Sequence, residues 1–414
     1  MKKFLALTLA LVMSLSLVAC GDKKTDDTKT DAPDQTEQPA ENEGAYKVAM
    51  ITDYGDITDQ SFNQTTYEAC KAFAEDNSIE FSYFRPAGDN TADRVAMIEK
   101  AVDEGFNVIV MPGYAFGGAI VEAAPEFPDV KFIALDVAAG DLLETAVAKA
   151  GEAYDYTPEN WDLNKYVDMS NVYCAVYQEE LCGYMAGYAA VKLGYKNLGF
   201  LGGMSVPAVV RYGYGFVQGV DAAAADLGLT DVKLNYIYGD QFFGDADITA
   251  VMDTWYQGGT EVVFACGGGI YTSAVDAAKK ANAKVIGVDV DQAGVIAKYA
   301  GVDGMTVTSA MKGLYPATYD TLTDVIVNGN WDKYVGKIAT LGLVSGTDPE
   351  ANYVQIPMGD GTQWSDSFTQ DDYKAMVKDM FDGKITVSNN TSSDVSAADF
   401  ATVITVDDQG SIKG

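Results

Sequence analysis

The chain has 414 residues, 48% of them hydrophobic and 21% charged, so it is long enough for two ordinary domains and has the composition of a folded protein. A formal net charge of −32 without clustered Lys or Arg argues against a nucleic-acid partner, since phosphate neutralisation needs such clusters, and against lying flat on anionic lipid. Histidine is absent, which excludes Ser-His-Asp and Cys-His catalysis, histidine-ligated zinc and the usual near-neutral proton shuttle.

The first segment, MKKFLALTLALVMSLSLVACG, carries two lysines, an apolar run too short to span a bilayer comfortably, and then small residues. Residues 1–19 are therefore expected to be a secretory signal. LVAC followed by Gly21 resembles a bacterial lipobox, which implies cleavage before Cys20 and diacylation of its sulfur. The protein would then sit on the outer face of the cytoplasmic membrane, held by lipid alone. Residues 20–45 contain almost nothing apolar and are expected to form a disordered tether. As a random coil such a tether reaches about 25–30 Å.

From residue 46 short apolar runs alternate with helical stretches: YKVAMIT and a helix to about Asp76, IEFSYFRP and TADRVAMIEKAVDEG, NVIVMPG and AFGGAIVEAAPEF, then VKFIALDV. This alternation predicts right-handed βαβ units on a parallel sheet, with strands such as NVIVM covered on both faces. A polar segment from Gly140 to Asp168 is expected to be an insertion near a lobe boundary. A second βα series follows, from NVYCAVY to KVIGVDVD, in which the small residues of QEELCGYMAGYAAVKLG suit close helix packing. Two series predict two doubly wound lobes: residues 46–170 with 304–330 in the first, 171–303 with 331–414 in the second. GMTVTSAMKGLYPATYDTLTDVIVNG is expected to cross back to the first lobe, and strand-like pieces and a polar helix follow Asn330.

Cys70, Cys174, Cys182 and Cys266 each lie among apolar or small neighbours with no C-x-x-C pair, the setting of buried small hydrophobes. In open parallel sheets ligands bind beyond the carboxyl ends of strands. Those positions hold Asp53 with SFN, PGYAFGG, Asp136, GGMS, GDQFFGD, CGGG and DVDQ with Asp289. Neither G-x-G-x-x-G nor G-x-x-x-x-G-K-[ST] occurs at a strand end, and a phosphate near Asp53, Asp56 and Asp59 would meet like charge. The acidic, aromatic and glycine-rich strand ends suit an uncharged polyhydroxyl or heteroaromatic ligand. No EF-hand spacing is present, and neither a metal nor a cofactor is expected. A glycosidase-like pair of facing acids stays open, without a positive motif. In SFNQ, Ser61 and Gln64 have the spacing of a capping box that starts a helix at Phe62. Phe62 is left free to stack on a flat ring, and Asn63 to hydrogen-bond a base edge.

These stretches together resemble the basic membrane protein family, the nucleoside-binding lipoproteins of ABC-type importers. The resemblance is carried by DQSFNQTTYEA, VIVMPGYAFGGAIVEAAPEFPDVKFIALD, QEELCGYMAGYAA, LGFLGGMSVPAVVRYGYGFVQGV, QGGTEVVFACGGG, KVIGVDVDQ and TSAMKG, in order over residues 46–330. It implies the α/β type I periplasmic-binding-protein fold, two lobes joined by a hinge, with a purine or related nucleoside between them. By the same resemblance Phe62 stacks on the base, opposed by Phe243 or alternatively Phe242. Asn63 and Asp136 bond the base, Asp289 and Lys312 the ribose, Gly268 lets backbone approach the sugar, and Asp53 supports them. The implied partners are an ABC permease and its separate ATPase, with the binding protein a monomer that catalyses nothing. A sugar or signalling-molecule receptor of the same fold and a carboxylate-based nucleoside hydrolase are the alternatives.

Overall fold

The computed structural model describes residues 45–413, which form one compact unit. The signal segment, Cys20 and the tether lie outside the described residues, apart from Ala45. In chain order the first half runs β1 (Lys47–Ile51), α1 (Phe62–Asn77), β2 (Glu80–Phe84), α2 (Thr91–Asp103), β3 (Val108–Pro112), α3 (Gly117–Ala123), β4 (Lys131–Leu135), α4 (Ala139–Lys149), α5 (Leu163–Tyr166) and β5 (Val172–Tyr177). The second series is α6 (Glu179–Lys192), β6 (Asn197–Gly202), α7 (Pro207–Asp226), β7 (Lys233–Tyr238), α8 (Ala246–Gln257), β8 (Val262–Cys266), α9 (Tyr271–Ala281), β9 (Lys284–Asp289), α10 (Ala293–Ala300) and β10 (Thr306–Lys312). The chain ends with α11 (Leu314–Leu322), β11 (Lys337–Leu341), β12 (Val354–Gln355), α12 (Gln370–Phe381) and β13 (Thr405–Ser411).

Two sheets result. The first has the order β11-β5-β4-β3-β1-β2 and is parallel throughout. The second has the order β12-β10-β9-β8-β6-β7-β13 and is parallel except where β12 runs against β10. Both are doubly wound, with chain order reversing between β1 and β3 in one and between β6 and β8 in the other. Crevices open beyond the carboxyl ends of strands at such switch points. The central strands are buried apolar runs because helices cover both faces: every residue of β3 and of β8 is buried. The expected close packing of QEELCGYMAGYAAVKLG is present, since α6 and α7 touch backbone to backbone. A Cβ on Gly183 or Gly219 would run into the carbonyl oxygens of Tyr212 or Tyr184. Cys70, Cys174, Cys182 and Cys266 are buried free thiols, and burial pushes their pKa values up.

Three expectations about the division need correction. β5 belongs to the first sheet, so residues 171–177 lie in the first lobe and the first crossing falls after Tyr177. β10 belongs to the second sheet and β11 to the first, which moves the other crossings to Lys312–Gly313 and to the segment after Leu341. Within 304–330 only the helix returns, with α11 packed on α1. The physical reason is that VYCAVY and TVTSAMK are almost wholly buried with no solvent-exposed face, so nothing in their pattern says which sheet takes them. The supposed insertion from Gly140 to Asp168 begins as α4, a crossover helix whose Leu142, Leu143, Ala146 and Val147 face the core. The irregular part starts only at Ala150.

Candidate functional site

The carboxyl ends of the two sheets enclose a cleft of about 640 Å³, walled by residues that follow β1, β3 and β4 on one side and β6 to β10 on the other. On the first side the chain leaves β1 through Asp53 and turns into α1. Asp59 caps that helix: its carboxylate accepts the backbone N–H groups of Ser61 at 2.9 Å, Asn63 at 2.9 Å and Gln64 at 3.1 Å. The expected capping box is therefore absent, and Gln64 instead accepts from the Gln60 backbone N–H at 3.1 Å. An ionised group satisfies several helix-end donors better than a hydroxyl does. The Ser61 hydroxyl, released from capping, donates across the cleft to Asp289 at 2.5 Å.

Asn63 is buried, and its Nδ2 donates to Asp53 and to Asp59, both at 3.2 Å. Two carboxylates on one side of the amide hold its NH₂ there, which leaves Oδ1 buried without a partner. Burial raises the Asp53 pKa to about 6, against the bonds it accepts from Gly55 and Asn63. Asp136 ends β4 in the left-handed region, at φ 58°. Its Oδ2 meets Lys312 Nζ at 2.5 Å, while its Oδ1 is also buried and unpartnered. Burial raises its pKa to about 6, opposed by Lys312 and reinforced by Glu179.

Lys312 closes β10 at the hinge and is the centre of the site. Its ammonium lies 2.5 Å from Asp136, 3.4 Å from Glu179 and 3.9 Å from Asp289. Its Nζ is also 4.7 Å from the ring centre of Phe62, 5.3 Å from Tyr177 and 5.7 Å from Tyr212. Burial alone would depress its pKa, but Asp136, Asp289 and Glu179 outweigh burial and hold it above the ordinary lysine value. Glu179 is also buried and takes the Arg211 Nε–H at 2.7 Å. Asp289, left-handed at φ 64°, accepts from Tyr212 Oη at 3.2 Å besides Ser61.

Phe62 is half-buried, packed on hydrophobic clusters of both lobes, and it lines the cleft. The doubled phenylalanines part company. Phe243 is 61% exposed at the rim, whereas Phe242 lies inside, nearly parallel to Tyr54 with ring centres 5.9 Å apart. Phe242, the alternative, thus presents the more buried ring, set against Gly203 and Gly267, while Phe243, which the resemblance favoured, borders the cleft at its rim. Gly268 has φ 48°, and a Cβ there would come within 2.8 Å of the Phe242 carbonyl oxygen. Its lack of a side chain thus serves the aromatic segment. Tyr54 Oη also reaches Tyr114 Oη of its own lobe at 3.3 Å and, across the cleft, Met204 Sδ at 3.5 Å.

All eight expected site residues line this one cleft. Glu179, Arg211, Tyr54 and the capping role of Asp59 were missed, while Met204 lies in the GGMS strand end already marked. Glu179 had a usable signal: it stands two residues beyond β5, at the start of α6, near the strand end as Asp136 is to β4. Among the described residues no group of three or more Cys, Asp or Glu is placed to hold a metal ion, and no helix is long and apolar enough to cross a membrane.

The fold and cleft define a two-lobed solute-binding protein. A solute-binding protein of an ABC transporter system from Aeropyrum pernix K1 superposes on 84% of this chain and 88% of its own, with TM-score 0.59 and 21% identity. The family model for PnrA-like ABC transporter substrate-binding proteins matches residues 46–348, and the chain belongs to that family. It is a substrate-binding component and not an enzyme. The ABC transporter nucleoside-binding protein BmpA of Lactococcus lactis subsp. cremoris is 25% identical over 94% of this chain and 99% of its own. Basic membrane protein B of Borreliella burgdorferi is 26% identical over 75% of this chain and 83% of its own.

Proposed function

We propose that the protein captures a purine or related nucleoside in the cleft, while anchored through Cys20 to the outer face of the cytoplasmic membrane, and hands it as a monomer to a permease driven by a separate ATPase. The observation that carries this reading is the pair of buried, unpartnered acceptors, Asn63 Oδ1 and Asp136 Oδ1, in a cleft walled by aromatic rings. Buried polar atoms left without partners are rare and costly, and N–H donors on a base edge would satisfy both. In this reading Phe62 and Phe242 cover the two faces of the base. Asp53 holds Asn63 in place. Asp289 and Lys312 take sugar hydroxyls, which replace the Ser61 hydroxyl and part of the Asp136 contact, and the backbone at Gly268 borders the sugar.

The many carboxylates of the cleft wall argue against a phosphorylated ligand. A nucleoside-binding relative of matching length supports the choice of ligand class. Calorimetric titration with inosine, guanosine, adenosine and ribose tests it, together with mass spectrometry of any ligand retained through purification. Tight binding of a nucleoside and none of ribose is expected. Binding of ribose alone would instead establish a sugar receptor of the same fold.

A further inference from the structure

The chain beyond the family match ends in a strand with an unusual character. β13, TVDDQGS, pairs in parallel with β7, from Thr405 opposite Lys233 to Ser411 opposite Tyr238. Five of its seven residues are exposed and the other two only half-buried, so it adds little to the hydrophobic core. Asp407 and Asp408 guard the open edge against further strands. Its hydrogen bonds concentrate instead at the end where β7 passes into the segment 239–245, which carries Phe242 and Phe243.

The register shifts between Asp408 and Ser411, where Gly410 takes φ 68°. After that shift Ile412 N–H donates to the Tyr238 carbonyl at 2.9 Å. The Ser411 hydroxyl donates to Asp240 Oδ2, and the Lys413 backbone N–H reaches the same oxygen at 3.0 Å. Asp240 stands at φ 60°, a left-handed conformation that a non-glycine residue keeps only when its surroundings hold it there. Lys413 Nζ donates to Gln241 Oε1 and lies 3.6 Å from Asp245. Gln241 passes the restraint on, donating through Nε2 to the Phe243 carbonyl and to Asp245, both at 2.9 Å. The Phe242 carbonyl between them is tied to Gly269 N–H at 2.8 Å.

We propose that the C-terminal segment 405–413 is a clamp that positions the Phe242 segment, and through it sets how tightly the cleft closes on its ligand. The effect on affinity rests on the nucleoside reading above; the clamp itself does not. Ser411 and Lys413 are positioning residues that act through Asp240 and Gln241.

The test uses the full chain with Ser411→Ala and Lys413→Ala combined, and with Lys413→Ala alone as the milder variant. Amide exchange over residues 239–245 is expected to rise roughly tenfold while β6 and β8 stay protected, with Tm shifted by less than about 2 °C. Guanosine affinity is expected to fall about five- to twentyfold, with no further fall when the tail variants are combined with Phe242→Ala. Unchanged exchange at 239–245 would overturn the clamp. Unaltered affinity, or losses that add fully to that of Phe242→Ala, would overturn its action through Phe242. Faster exchange in a protein whose parent binds no nucleoside would uphold the clamp and sink the ligand assignment.

Discussion

The two lobes meet the cleft with differently held halves. The first-lobe wall beside Asn63 is locked by buried charge: Asp59 caps α1, and Asp53 and Asp59 together pin Asn63. The second lobe offers Phe242 in a glycine cradle, on a segment tied at its outer side by the polar tail. Buried carboxylates in a low-dielectric wall are strong and unforgiving, while exposed hydrogen bonds are adjustable. Between the halves Lys312, at a hinge crossing, binds Asp136 of the first lobe and Asp289 of the second. The difference teaches that neither half is a site alone, since both lobes contribute residues to the one cleft.

The largest effect is expected from the shared centre. Lys312→Ala leaves Asp136 and Asp289 buried without their cation and Glu179 with Arg211 alone, so unfolding by denaturant should show a loss of about 3–5 kcal/mol and nucleoside binding should vanish. Phe62→Ala should cost binding about 1–3 kcal/mol in calorimetry while the cooperative unfolding transition persists. Fold loss in that variant would mean that its packing between the lobes, rather than stacking, is its main role. Asp59→Ala removes the helix cap and one lock on Asn63, with about 1–2 kcal/mol of stability lost.

The polar half also carries a pH signature. The Asp53 pKa lies near 6 in the folded state, above the unfolded value of 3.8, so the folded protein binds more protons between the two. Its contribution to stability is therefore present at low pH and is lost as pH rises from about 4 to 6. Asp53→Asn should flatten that part of a Tm-versus-pH curve relative to the parent protein. The smallest effect is expected at the rim of the aromatic half: Phe243→Ala should change nucleoside affinity less than about threefold, because an exposed side chain away from special features contributes little.

Much of this was legible in the chain. Alternating apolar runs marked the strands, and the rule that ligands bind beyond strand ends brought out Asp53, Asp136 and Asp289. Family resemblance added Lys312 and Gly268. The same rule applied to β5 would have brought out Glu179. The choice between Phe242 and Phe243 was not legible, since adjacent identical residues differ only in which one meets Gly203 and Gly267. Ser61 misled because its spacing to Gln64 fits a capping box, whereas the competing carboxylate of Asp59 stands two residues earlier and wins on charge.

By itself, then, the order of residues determined the α/β class, the two-series organisation and the set of strand-end side chains, because periodicity and strand ends are local properties. Only the tertiary structure decided which sheet receives β5, β10 and β11, that Ser61 reaches Asp289, that Lys312 joins three carboxylates, and that the tail holds the Phe242 segment. Each of these pairs residues far apart along the chain, and a buried run or a lone polar side chain carries no record of its distant partner. Burial then makes such pairings strong: once water is excluded, a charge or donor left without a counterpart is costly.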